Sequence, residues 1–198
     1  MSASQKYKVL DLKPLKNHMY EITVASKSYK LAEETILKYR LVKGKEFADL
    51  DLILKDDLNN ILYAKIRSYA LRYPKSKKDL KLYLSNKYDL SSDILSDFIS
   101  RLENEGIVND NMYRESVVAS LLAKGYGKQY IYNTLRAKGL DTNIEIEPNS
   151  DILDKLILKQ LKNYHETDKN KLKLKLLNYL MRKGYSYSEV KDKIEKFI

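Results

Sequence analysis

The sequence predicts a mainly α fold in which helical repeats stack in tandem behind a small N-terminal cap containing a β-hairpin. Sliding the chain by 59 residues lays Leu121 on Leu180, Gly125 on Gly184, Tyr126 on Tyr185, Ile131 on Val190 and Leu135 on Ile194. Sliding it by 51 lays Leu71 on Leu122, Leu80 on Ile131 and Leu84 on Leu135, with Pro74 standing where Gly125 stands. Each copy is an apolar helix, a breaker (Pro74, Gly125 or Gly184) and a short helix whose apolar residues sit four apart and share a face. One such unit cannot bury its own stripe, so units stack. The start of the chain has the other period: Tyr20, Ile22 and Val24 alternate with Glu21, Thr23 and Ala25 after a Pro14-Leu15-Lys16-Asn17 turn, which predicts a hairpin.

Taken in order, Tyr29–Leu31 is a short third strand before a helix over Ala32–Arg40. Gly44 closes that helix's extension, and a second short helix lies near Phe47–Leu54. From Asp56 the chain reads as helix. Asp56 and Asp57 start one that runs to about Arg72, their carboxylates accepting first-turn N–H groups. Ser76 caps the next, through Asn86; Ser91 or Ser92 caps another, through Glu103; Asp110 caps one that ends at Gly125. Gly127–Lys138 follows, Pro148-Asn149-Ser150 breaks the chain, and helices over Asp151–Tyr164, Asp168–Lys183 and Ser186–Phe197 close it. Lys171 to Leu176 alternates lysine and leucine as a strand would, but the repeat register assigns it to helix.

At 198 residues and 43% apolar content the chain can build one elongated or two compact domains. No apolar run approaches the ~20 residues a membrane span requires, and Met1 to Lys6 lacks the apolar core of a signal peptide, so a cytoplasmic location is expected. With no cysteine there is no disulfide or thiolate metal site, and His18 and His165 cannot build a zinc site alone. The net charge of +10 is unevenly spread: eleven basic against seven acidic residues over 1–55, fourteen against thirteen over 56–150, and twelve against seven over 151–198. Basic ends suit phosphates, and the balanced middle suits a protein surface.

Gly125-Tyr126-Gly127-Lys128 opens a helix, where phosphates can bind. It lacks the P-loop spacing and a preceding strand, so a tight inter-helix turn is the preferred reading. Tyrosine supplies 17 of the 20 aromatics, and Tyr73, Tyr126, Tyr130, Tyr132, Tyr185 and Tyr187 flank the breaker turns. Packing between helices is preferred for them over base stacking. No Ser/His/Asp set, acidic metal cluster or histidine–carboxylate pair stands at useful spacing, so neither an enzyme nor a bound cofactor is expected.

The β-containing start, Arg72-Tyr73-Pro74-Lys75-Ser76-Lys77-Lys78-Asp79-Leu80, Gly106 to Tyr113, Gly125-Tyr126-Gly127-Lys128 through Lys138-Gly139-Leu140, and Leu180 to Tyr185 together resemble the RecX family, bacterial regulators of the RecA recombinase. The chain departs from the family pattern with Asn109-Asp110 for Asp-Asp, Arg114 for a small residue, and Lys75-Ser76 for Arg-Ser. The resemblance implies tandem three-helix repeats in an elongated, curved array: a cap over 1–55, repeats over 56–106 and 107–165, and an incomplete two-helix repeat over 166–198. It also implies a monomer that binds RecA filaments on single-stranded DNA, with double-stranded DNA a further candidate, and that chiefly inhibits ATP hydrolysis, strand exchange and recombination. The expected contact residues are Lys75, Lys77, Lys78, Lys124, Lys128, Arg136, Lys138, Arg182 and Lys183, with Arg67 and Arg72 secondary. A stand-alone DNA-binding protein such as a helix-turn-helix transcription factor is the open alternative, because paired short helices about a glycine turn imitate that motif.

Overall fold

The computed structural model describes residues 6–147, 150–165 and 167–198. The break expected at Pro148-Asn149, the reading of Met1 to Gln5 and the repeat start at 166 lie outside the described residues. The chain forms two compact units that divide after Arg72.

In the first unit β1 (Tyr7–Pro14), β2 (Met19–Val24), β3 (Lys27–Ala32) and the two-residue β4 (Glu46–Phe47) form an antiparallel sheet in the order β3-β2-β1-β4. Val9, Ile22, Val24 and Leu31 are buried with Leu41, with Ile36 of α1 (Glu33–Tyr39) and with Ile53 of α2 (Leu50–Arg72). Val24 pairs with Lys27 across a two-residue turn, Ala25-Ser26, whose φ values of 47° and 69° give the handedness such a hairpin needs.

Several local expectations give way here to tertiary contacts. Gly44 ends no helix: α1 stops at Arg40, itself left-handed (φ 49°), and the Gly44 N–H donates to the Val9 carbonyl. Glu46 and Phe47 form β4 by pairing with Lys8 and Tyr7. One 23-residue helix, α2, replaces the two expected around Asp56, and it runs through the expected 55/56 boundary. Asp56 and Asp57 are interior helical residues whose carboxylates serve α1: Asp57 accepts the Ala32 N–H at 2.7 Å, while Asp56 accepts from Lys38 and Tyr39. Beside them the Asn60 amide donates to the buried Thr35 hydroxyl at 3.0 Å.

The Asp56 cluster makes the first unit sensitive to pH at both extremes. Its bonds from Lys38 and then Tyr39 hold the Asp56 carboxyl below the usual range, so the stability it contributes is present above the ordinary aspartate pKa of about 3.9 and is lost as pH falls through the depressed value. Burial, and next the Asp56 carboxylate, push the Tyr39 hydroxyl up to about 12. That contribution is present below the ordinary tyrosine value of about 10 and is lost as pH rises toward about 12. Asp56→Asn is therefore expected to bring the Tyr39 titration, followed by the ring Cζ chemical shift, back toward the ordinary value; an unmoved titration would leave burial as its sole cause.

The second unit holds α3 (Lys77–Lys87), α4 (Ser92–Asn104), α5 (Asp110–Ala123), α6 (Lys128–Ala137), α7 (Ser150–Asn163), α8 (Lys169–Arg182) and α9 (Tyr187–Phe197). Ser76, Ser91 and Asp168 cap α3, α4 and α8, and Ser186 with Glu189 forms a reciprocal capping box on α9. Asn109, not Asp110, caps α5; the Asp110 carboxylate instead accepts the Lys77 N–H at 2.8 Å, at the first turn of α3. Leu176 and Leu180 of α8 are fully buried and partly buried Leu172 packs beside them, which is why the lysine–leucine run folds as helix: at a four-residue spacing these leucines share one face.

They meet Leu153 and Ile157 of α7 and Val190 and Ile194 of α9, so α7 to α9 share a single core. The expected partition had ended a repeat at residue 165, between α7 and α8. A second core joins Ile131 and Leu135 of α6 to Leu140 and Ile146, with partly buried Val117, Val118 and Leu121 of α5 against it. Among the described residues no helix is long and apolar enough to cross a membrane.

Candidate interaction surface

The nine cations expected to make contacts all lie in the second unit; the structure sets Lys124, Lys128 and Lys183 at the N-terminal end of α6 and Lys78, Arg136 and Lys138 at its C-terminal end, and leaves Lys75, Lys77 and Arg182 away from the helix. At the N-terminal end no side chain caps the helix. The Gly127 N–H donates to the Lys183 carbonyl at 2.8 Å and the Gln129 N–H to the Gly184 carbonyl at 3.1 Å. These amides are the groups a phosphate would use, so the turn is a packing joint and not an anion cradle. Its closeness requires glycine on both sides. A Cβ at Gly127 would stand 2.4 Å from the Gly184 carbonyl oxygen, and one at Gly184 (φ 91°) would stand 2.4 Å from the Tyr130 nitrogen. The Lys183 ammonium reaches the Lys124 carbonyl at 3.4 Å and lies 4.0 Å from the centre of the Tyr126 ring, which stacks on Tyr130.

At the C-terminal end the exchange is reciprocal between α3 and α6. Lys78 donates to the Ala137 carbonyl at 2.9 Å, while Lys138 donates to Asp79 at 3.1 Å and lies over the Tyr113 ring. Burial opposes the Lys138 charge, but Asp79 and Tyr113 together outweigh it and raise the lysine's pKa. Lys77 pairs with Glu103 at 2.7 Å. Arg136 bonds Asn133 one turn back on its own helix.

Lys78, Lys138 and Lys183 thus hold the repeats together and Lys77 ties α3 to α4, whereas Lys75, Lys124, Lys128 and Arg182 make no side-chain hydrogen bond or ion pair among the described residues. A 10-residue helix separates the two basic groups by about 15 Å. Along it runs a shallow groove lined by Asp79, Tyr130, Asn133, Thr134, Ala137 and Lys138, of which Asn133, Thr134 and Ala137 had drawn no notice in the sequence. Tyr130, Asn133, Thr134 and Ala137 are the outward counterpart of buried Ile131 and Leu135, a signal present in the helical period. The tyrosines pack as expected where buried: Tyr185 is 4% exposed, and the Tyr132 hydroxyl donates to the Ile144 carbonyl. Tyr73 and Tyr187 are half-exposed.

This arrangement of helices and turns has known counterparts. The chain is 31% identical over 183 residues to the regulatory protein RecX of Streptococcus gordonii (strain Challis), covering 88% of this chain and 70% of that one. The chain belongs to the RecX family. The RecX protein of Streptococcus sanguinis (strain SK36) is 30% identical over the same share of each chain. The model of the RecX third three-helix domain matches residues 149–194, the stretch that holds the common core of α7, α8 and α9. A crystal structure of regulatory protein RecX superposes with a TM-score of 0.79 over 93% of this chain and 97% of its own, at 22% identity. RecX from Lactobacillus salivarius matches 68% of this chain and 94% of its own with a TM-score of 0.56 at 24% identity. At those identities the crystal structures establish the fold, a helical array of RecX three-helix domains behind a small sheet.

Proposed function

We propose that this protein binds RecA filaments on single-stranded DNA and chiefly inhibits ATP hydrolysis, strand exchange and recombination, acting as a cytoplasmic monomer. RecX family membership supports this reading, and the observation that carries it is the pinning of α6 at both ends. The turns at Lys124–Lys128 and Lys183–Gly184 are joined backbone to backbone, and Lys78, Asp79 and Lys138 lock the other end. Two basic groups held at a fixed separation suit a partner that repeats along an axis, since each weak contact raises the effective concentration for the next. The near-balanced charge of residues 56–150 favours a protein surface over bare phosphate. In this reading the protein acts by occupying surface and performs no chemistry.

The packing at α6 also weighs against the transcription-factor alternative. A recognition helix presents its N-terminal residues to base edges, and in α6 those positions meet Lys183 and Gly184.

The test is DNA-dependent ATP hydrolysis by RecA preloaded on single-stranded DNA, titrated with the protein and with the combined variant Lys75→Glu, Lys124→Glu, Lys128→Glu. Lys138 is left alone because reversing it would set a carboxylate against Asp79. Three charge reversals at a partly solvated contact are expected to raise the inhibitory midpoint at least about tenfold with melting unchanged. An unmoved midpoint would remove the ends of α6 from the contact.

A further inference from the structure

Helices α8 and α9 form a groove that none of the nine cations lines. Its floor is apolar: Leu174 and Leu177 of α8 meet Tyr187 and Ile194 of α9, and Leu174 is 57% and Tyr187 52% exposed. Lys173 stands on the α8 side and Lys191 on the α9 side, with Glu195 beside them. Neither lysine makes a side-chain hydrogen bond or ion pair among the described residues.

The same groove exists one repeat earlier, and there it is filled. Sliding back by 59 residues carries Lys173 to Arg114, Leu177 to Val118, Lys191 to Tyr132 and Ile194 to Leu135. The two helix pairs are also built alike: Gly125 and Gly184 are both left-handed, and the Tyr126 and Tyr185 N–H groups donate to the Leu121 and Leu180 carbonyls. Across α5 and α6 lies the chain's own segment 140–147. Its Asp141 pairs with Arg114 at 3.2 Å, the Tyr132 hydroxyl donates to its Ile144 carbonyl at 2.9 Å, and its Leu140 and Ile146 are buried with Leu135. The segment is not helical. Leu140, Thr142, Ile144 and Ile146 are buried or half-buried while Asp141, Asn143, Glu145 and Glu147 are exposed, the alternation of an extended chain laid on a surface. Where α5 and α6 carry the charged Glu115 and Lys128, the α8–α9 groove has Leu174 and Tyr187, which make its apolar surface contiguous.

We infer that the α8–α9 groove binds an extended segment of a partner protein in which apolar residues alternate with carboxylates. Leu174, Leu177, Tyr187 and Ile194 receive the alternate apolar side chains. Lys173 takes a carboxylate at the place Asp141 holds on Arg114, and Lys191 donates where Tyr132 donates. Two lysines against one glutamate leave the rim net positive, which favours acids on the partner. A second copy is a poor occupant, because its own segment of this pattern is already engaged on its α5 and α6.

This contact is independent of recombinase binding, and its test contains no recombinase. Fluorescence polarisation would follow the full chain binding a labelled peptide with the sequence of residues 140–147, Leu-Asp-Thr-Asn-Ile-Glu-Ile-Glu. Saturable binding is expected. Leu174→Asp, at an exposed position, is expected to weaken it at least about tenfold with melting little changed, since it removes an apolar contact and sets a carboxylate against the peptide. Lys173→Glu with Lys191→Glu is expected to weaken it by a similar factor, and a peptide carrying lysine in place of its three acids is expected to bind that variant better than the parent. No saturable binding by the parent would overturn the inference. Parental affinity in both variants would do the same, by placing the peptide elsewhere on the chain. So would a concentration-dependent dimer, seen by light scattering, that Leu174→Asp abolishes, because a second copy would then be the occupant.

Discussion

Gly127→Ala is expected to destabilise the second unit by about 3–4 kcal/mol, a large effect for one added methyl group. The new Cβ would lie 2.4 Å from the Gly184 carbonyl oxygen, 2.5 Å from its carbon and 2.6 Å from the Tyr185 nitrogen. All three are backbone atoms and cannot rotate aside. Relief requires α6 to withdraw from the Gly184 turn, which breaks the bonds from Gly127 and Gln129 to the Lys183 and Gly184 carbonyls, each worth about 1 kcal/mol and more when a polar group is left buried and unpaired. The backbone itself offers no objection, since Gly127 has φ −85°, where alanine is at ease. Gly106 supplies the contrast: its φ is 71° but nothing lies within 4 Å of a Cβ built there, so Gly106→Ala costs only the left-handed conformation, about 1–2 kcal/mol. Thermal unfolding of the two variants separates close approach from conformation. Hydrogen exchange at the Gln129 amide shows whether the joint has opened. A Gly127→Ala protein no less stable than Gly106→Ala would mean the joint yields at little cost, and the fixed spacing behind the proposed RecA contact would go with it.

The same joint shows what the sequence could and could not reveal. The 59-residue repeat identifies Gly125 and Gly184 as equivalent, yet the tight contact is between Gly127 and Gly184. A repeat reports which positions play the same part, and adjacency depends on how neighbouring copies stack. Cap residues were legible within one position, as at Ser76, Asp168 and Ser186, because a cap acts on its own first turn. The miss at Asn109 and Asp110 occurred where the second residue's partner, Lys77, lies 33 positions away. The lysines behave similarly. In sequence Lys124 and Lys138 look equally available, but only the fold sets Asp79 and Tyr113 around Lys138. Strand β2 announced itself by alternation, whereas β4 is two residues long and exists only because β1 offers it an edge.

Asp57→Ala carries the largest expected effect in the first unit, about 2–3 kcal/mol, for a reason equally remote in sequence. Helix α1 begins after Ala32, which has no side chain to accept an N–H, and it is only 7 residues long. A helix this short draws its stability from tertiary contacts. Asp57 provides one: its side chain, 3% exposed, crosses from α2 to accept the Ala32 N–H at 2.7 Å, setting a negative charge at the positive end of α1. Truncation removes a charge-assisted hydrogen bond worth about 1.5–3 kcal/mol and leaves a partly buried N–H without its acceptor. Asp57→Asn retains an oxygen that can accept and loses only the charge, so about half the cost is expected. The two costs are read from hydrogen exchange at the Ala32 amide and along α1, which reports this unit whatever the second unit does. Equal exchange in the Ala and Asn variants would show that the charge, and not the acceptor, matters at this position. Parental exchange in both would return Asp57 to an incidental place in α2 and leave the sheet core alone to hold α1.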